Sequence, residues 1–299
     1  MLGSGSAINL SSHRICSLFP CPDADCSGKT VIVTGSNTRL GKEAVRHFVR
    51  LKAKKVIVAV LSIAKGEAAK AEIEADTKNP GVIEVWELDY SSYASKFEIF
   101  EDNESTINVN VVSTTLLVLL LLPILRSVAE KHHIVPVIAI TCPGVHAYTK
   151  FPERNTPNSL ATLNNEKTAN MSDRYPVSKL LQLFAAREIA ERTANTNPFV
   201  IVNTINPGLC YTDLARHAEG RTAVILKVGR ALLAWTAEGS RTLVHATIAG
   251  PQSHGIYING CDDIGPFVIS PEGRKAQKKV WSELVEKLER IQPGVTAVL

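Results

Sequence analysis

Several features that would classify a chain at once are missing here. No block of lysine and arginine occurs, and 33 basic against 29 acidic residues leave a net charge of only +4, spread along the chain. A nucleic-acid partner is therefore not expected. The six cysteines lack the close pairs and histidine partners of a zinc site. Cys16, Cys21 and Cys26 cluster near the N-terminus, Cys142, Cys210 and Cys261 are scattered, and all read as free thiols of a reducing compartment. Residues 1–27 are rich in Ser, Cys and Pro but hold no continuous apolar stretch, so they read as a loosely ordered extension rather than a signal peptide. There is no internal repeat, linker or second composition zone. The longest uncharged run, Ile107 to Leu125, is interrupted by Asn108, Asn110, Ser113 and Pro123. It reads as a buried or interface helix rather than a membrane span, which wants ~20 mostly apolar residues. Membrane contact is not expected, and the expected compartment is the cytoplasm.

What is present is a regular alternation. Apolar strands are expected at 29–34, 55–60, 82–88, 135–141, 199–205 and 255–258, and helices at 41–52, 65–76, 104–131, 172–195 and 271–290, with helical character over 212–250. Strands alternating with amphipathic helices give βαβ units and a parallel sheet, and continuous apolar strands fit a sheet covered on both faces. At 299 residues, 45% hydrophobic and 21% charged, the chain suits one large α/β domain spanning 28–299.

Three short segments carry chemistry. Thr34-Gly35-Ser36-Asn37-Thr38-Arg39-Leu40-Gly41 follows the first strand and opens a helix, the setting in which a glycine-rich turn brings backbone to a pyrophosphate. Tyr175-Pro-Val-Ser-Lys179 places a phenol and an ammonium on one helix face. Asn206-Pro207-Gly208 follows the strand after that helix. In this order the segments resemble the short-chain dehydrogenase/reductase family, of fungal type. The resemblance covers roughly residues 27 to 270 and implies a Rossmann-like doubly wound fold. By it, Tyr175 is the general acid/base, Lys179 its activator and ribose ligand, and Asn110 the helper of a water relay. The resemblance also implies a cofactor site of Gly35, Asn37, Arg39, Leu40, Gly41, Asp89, Asn110, Tyr175, Lys179, Pro207, Gly208 and Thr212. Residues 212–250 would form a substrate lid, with Leu214, Val224, Ile225, Leu226, Leu232, Leu233 and Trp235 pointing either to an apolar substrate or simply to helix core. No metal is implied.

The chain also departs from the family pattern. Arg39 stands where the middle glycine of T-G-x-x-x-G-x-G belongs, and could either obstruct the phosphates or pair with them. The second strand ends Ala59-Val60-Leu61-Ser62, without the acid that binds the ribose of NAD or the arginine fungal relatives carry at Leu61. The missing acid tilts the choice to NADP over NAD. Only about 20 residues separate Asp89 from Asn110 where the family has about 50, and a βαβ crossover alone takes a dozen or more. No N-N-A-G segment is present, so one central strand is expected to be missing, whether by deletion or by an error in deriving the sequence from its gene. With His146 in register, Cys142-Pro143 replaces the family's Ser-Ser pair, and the hydroxyl donor becomes proline.

Two functions follow. One is an NADP(H)-dependent oxidoreductase acting on a ketone or secondary alcohol of an apolar small molecule, as in secondary metabolite biosynthesis, with a homodimer expected by analogy. The other is a catalytically impaired relative kept as a binding or partner protein.

Overall fold

The computed structural model describes residues 20–90, 104–208, 236–258 and 264–299. The first half of the fold is built from β1 (Thr30–Thr34), α1 (Arg39–Arg50), β2 (Lys55–Val60), α2 (Ile63–Thr77) and β3 (Ile83–Glu87). β2 is apolar along its whole length and takes the central place, pairing in parallel with β1 and with β3. Val56, Val58 and Val60 pack with Val45, Phe48 and Val49 of α1 and Ile73 of α2 to form one core. The opposite face of this sheet is less covered, leaving Ile32 at 45% and Trp86 at 49% exposure.

The second half begins with α3 (Ser105–His132) and continues through β4 (Val137–Thr141), α4 (Ser159–Leu163), α5 (Met171–Thr193), β5 (Ile201–Ile205), α6 (Thr236–Ile248), β6 (Tyr257–Ile258), α7 (Pro266–Ile269) and α8 (Pro271–Ile291). β5 is flanked in parallel by β4 and β6. A separate core gathers Leu116, Leu119 and Leu122 of α3, Leu180, Leu181 and Phe184 of α5, and Val280, Trp281 and Leu284 of α8. α8 is stitched to α5 by polar groups as well. Arg187 donates to Gln277 at 2.8 Å, and Gln277 donates to buried Glu188 at 2.8 Å. The C-terminus closes back on α3, where Arg126 donates to the Val298 carbonyl at 2.6 Å.

The expected strand vacancy appears as a division of the sheet. Among the described residues β1 bonds only to β2 and β4 only to β5, giving two three-stranded parallel sheets instead of one continuous one. The halves are held side by side by helices and side chains. α6 packs on α1 and also on β4 and β5, and its Val244 sits in the first core. At the end of β3, Tyr90 hydrogen-bonds the Thr34 side chain, and its carbonyl accepts from Ser113 of α3 at 2.7 Å.

Two expectations need refinement. The N-terminal extension is anchored from Pro20 onward, because its carbonyl lies 3.2 Å from the His245 ring and Cys26 is buried, its N–H donating to Leu51. Of the lid expected at 212–250, residues 212–235 lie outside the described residues, while 236–248 form helix α6, packed on α1, β4 and β5. Within the described residues α3 is the one helix long and apolar enough to cross a membrane by length and composition. In the fold, one face of it is buried against α5 and the C-terminus.

A divided sheet predicts uneven backbone protection. Hydrogen exchange should leave the outward amides of β1 and β4 weakly protected, while β2 and β5 exchange orders of magnitude more slowly. Uniform protection across all four strands would mean that the ladder is continuous.

Candidate active site

The carboxyl ends of the strands form one rim, where ligands of such sheets bind. The Gly35 N–H donates to Ala59 at 2.8 Å, the Leu88 N–H to Val60 at 3.0 Å, and the Cys142 N–H to Ile205 at 2.8 Å. The turns after β1, β2, β3, β4 and β5 are thereby fixed along this rim. Asp89 lies there, just after β3.

The turn after β1 is tight and depends on its two glycines. Gly35 has φ +63, and nothing lies within 4 Å of a Cβ built there. A Cβ on Gly41 would come within 2.8 Å of the Ser36 Cα, so only glycine lets α1 sit this close to the turn. Buried Ser36 donates to the Val33 carbonyl at 2.6 Å, which folds the turn back on β1. Asn37 and Leu40 are half-buried beside it. Arg39 has φ +46, the left-handed region that glycine adopts freely and arginine does not. The backbone there has a conformation suited to glycine, and the arginine is strained in it. Arg39→Gly should accordingly raise unfolding free energy by about 1 kcal/mol, measured by chemical denaturation. An unchanged or lower stability would show that contacts of the arginine offset the strain.

On the other side of the division, α3 and α5 bring the catalytic candidates together. α3 is not regular: Asn108–Ser113 form a π turn, and the Thr114 hydroxyl donates five residues back to the Val109 carbonyl at 3.0 Å. Such bulges re-aim side chains and recur at functional sites. This one turns Asn110 towards α5, where its Nδ2 donates to the Ser178 Oγ at 3.0 Å. Ser178 in turn donates to the Tyr175 carbonyl at 2.8 Å. Tyr175 and Lys179 share a face, with the ammonium 5.8 Å from the ring centroid. The start of α3 is held by Glu104, which accepts from the Thr106 and Ile107 N–H groups and approaches buried Arg174 at 3.5 Å.

The electrostatics follow from burial. Desolvation pushes the Tyr175 phenol up to about 12, with a smaller push from the Cys142 thiol. Desolvation also lowers Lys179, partly opposed by Cys142. Burial pushes Cys142 itself up to about 12, against the pull of Lys179. A low dielectric favours the neutral form of each. A tyrosine raised in the folded state contributes stability that is present below the unfolded value of 10.0 and is lost as pH rises towards about 12. Tyr175→Phe should therefore lose less stability than the parent between pH 10 and pH 12, read as a shallower fall of the denaturation midpoint. An identical fall would place the phenol in solvent.

The end of β4 departs most from the sequence pattern of an active member. The Cys142 thiol is fully buried and donates inward to the Lys179 carbonyl at 3.2 Å, turned away from the rim. Pro143 follows with no donor to offer. His146 is buried behind them, its ring nitrogens 3.1 Å from the Pro143 carbonyl and 2.9 Å from that of Ile264, edge-on to Tyr257. It braces the loop. Across the rim, the Asn206 side-chain oxygen accepts from the N–H groups of Gly208 at 3.0 Å and Gly144 at 3.3 Å, tying the Pro207-Gly208 bend to the end of β4. Thr212 lies outside the described residues. Sequence reasoning missed Ser178 and Gln182, which both touch the site. The signal lay in their positions three residues after Tyr175 and Lys179.

The chain is similar to the short chain dehydrogenase/reductase dmxR8 of Cryptosporiopsis sp. (strain 8999), 44% identical, with 93% of this chain and 96% of that protein covered. It belongs to the short-chain dehydrogenase/reductase family. The alignment also measures what this member lacks. It runs over 315 positions, but 93% of 299 residues is about 278, so about 37 positions face gaps in this chain. No family model matches the chain. Among solved structures, a Mycobacterium paratuberculosis protein matches with a TM-score of 0.62 and 20% identity over 92% of this chain and 98% of that one. The L-sorbose reductase of Gluconobacter frateurii, solved with NADPH and L-sorbose, matches with a TM-score of 0.54 and 15% identity over 81% and 98%. These two likenesses establish the Rossmann fold.

Proposed function

We propose that this family member holds NADP(H) across the strand rim and transfers a hydride between it and a ketone or secondary alcohol on an apolar small molecule. The observation that carries the reading is the hydrogen-bonded set Asn110, Ser178 and Tyr175 with Lys179 on the same helix face. The turn residues fit the nucleotide. The first turn of α1 carries no acid and Thr38 makes no side-chain cap, so the positive end of the helix dipole would favour a pyrophosphate there. Gly35 leaves room for it, and Asn37, Arg39, Leu40 and Gly41 would surround it. Lys42 is close but is already paired with Glu72. At the end of β2, Leu61 is 64% exposed and residues 59–62 carry no acid to bind a ribose 2′-hydroxyl, which favours NADP over NAD. NADPH in the L-sorbose reductase agrees with this choice.

When bound, the nucleotide supplies the hydride. The protein's own part is proton handling and orientation. Tyr175, protonated at neutral pH, is suited to give its proton to a carbonyl oxygen in reduction, and its phenolate to take one from an alcohol in the reverse step. Lys179 would hold the ribose and steady the phenolate left behind, and Asn110 would orient water behind it. Asp89, Pro207, Gly208 and Thr212 complete the nucleotide contacts, and residues 212–250 cover the apolar substrate, anchored by α6. A cytoplasmic location and a homodimer belong to the same proposal.

The second reading, a catalytically impaired member, is favoured by Pro143 at the donor position and by the divided sheet. Losing one donor to a developing oxyanion commonly costs ~10²–10³ in rate. Fluorescence titration with NADPH and NADH separates the two. Saturable NADPH binding that Tyr175→Phe preserves, with turnover lost, supports the oxidoreductase. Absence of binding in folded protein leaves the impaired reading.

A further inference from the structure

Lys179 is 8% exposed, yet among the described residues it has no carboxylate partner. A buried ammonium without a hydrogen-bond acceptor would be very costly. Its side-chain acceptor is one turn further along α5. Lys179 Nζ donates to Gln182 Oε1 at 3.0 Å, and Gln182 is itself only 6% exposed. The spacing of three residues puts both groups on one face. The other titratable groups around Lys179 are the Tyr175 phenol on α5 and the Cys142 thiol from the end of β4, with Asn110 of α3 reaching the same turn through Ser178. None of these is anionic at neutral pH in this surrounding.

We propose that Gln182 is the positioning residue of Lys179: its buried side-chain oxygen holds the ε-ammonium charged and aimed between Tyr175 and the place of the nucleotide ribose. The proposal rests on Lys179 being the site lysine. An amide suits the task because it accepts a hydrogen bond from the ammonium without adding the negative charge that would oppose a phenolate on Tyr175. A carboxylate at the same place would hold the lysine more firmly and disfavour that phenolate. Gln182 touches neither substrate nor the reacting atoms in this scheme and acts through Lys179.

The test follows the ε-carbon resonance of Lys179 through a pH titration of nucleotide-free protein labelled with ¹³C-lysine, the signal assigned by its loss in Lys179→Arg. Gln182→Met keeps the volume and removes the acceptor. It should lower the proton affinity of Lys179 about tenfold, since hydrogen bonds to charged groups are worth that much or more. Gln182→Glu should shift the titration the opposite way by a comparable factor. Titrations unmoved in both folded variants would overturn the proposal. If the methionine variant fails to fold, the glutamate variant decides alone, a rise supporting the proposal and no change sinking it. The readout needs neither nucleotide nor turnover. A chain that proved inactive would therefore refute the oxidoreductase reading and leave this result standing.

Discussion

Burial of α5 on every side is the constraint from which the rest of this structure follows. Ten consecutive positions, Val177 through Ala186, are buried, so the helix has no solvent face along its middle turns. It is pressed between β5, α3 and α8, and a rotation about its axis would drive polar groups into three apolar surfaces at once. Apolar burial of a leucine or phenylalanine is worth about 1.5–3 kcal/mol, and α5 commits Leu180, Leu181, Leu183 and Phe184 in a single stretch. Lys179, Ser178 and Gln182 are carried into this dry setting by their neighbours. The low dielectric explains why Tyr175 is raised and Lys179 lowered, and why a neutral amide at 182 matters. The π turn at Asn108–Ser113 is what aims Asn110 at α5, where it donates to Ser178.

The divided sheet places a different demand on the fold. In a continuous sheet, ladder hydrogen bonds fix the nucleotide turn relative to the catalytic helix. Here the turn at 34–41 belongs to one core and the Tyr175–Lys179 pair to another. Their relative position depends on α6 bridging the halves and on Tyr90 linking Thr34 to Ser113. Side-chain contacts of this kind are softer than a strand ladder, and among the described residues no strand pairs with the inner edges of β1 and β4. The strain at Arg39 and the loss of a donor at Pro143 fall on opposite sides of this division.

Much of this was legible in the residues. Continuous apolar runs such as Lys55–Val60 and the helix expected at 172–195 specified elements whose bounds agree with the structure within a few residues, because period and length are local properties. The Tyr175–Lys179 spacing, the shortened interval after Asp89 and the misplaced Arg39 were equally visible, since each is a matter of order and count along the chain. Tertiary structure alone decided the rest. That the lost strand leaves two sheets and not one closed sheet depends on whether β1 and β4 approach across the gap, which no local pattern encodes. That 236–248 packs against the first sheet's helix as well as β4 and β5 depends on α1 offering it a surface. That the Cys142 thiol turns inward depends on the backbone of α5 lying 3.2 Å away. That Lys179 is held by Gln182 depends on burial removing water as the competing acceptor. Sequence determines which groups can meet along one element. The packing of elements decides which of them meet without water, and in this protein that desolvation sets the chemistry of the site.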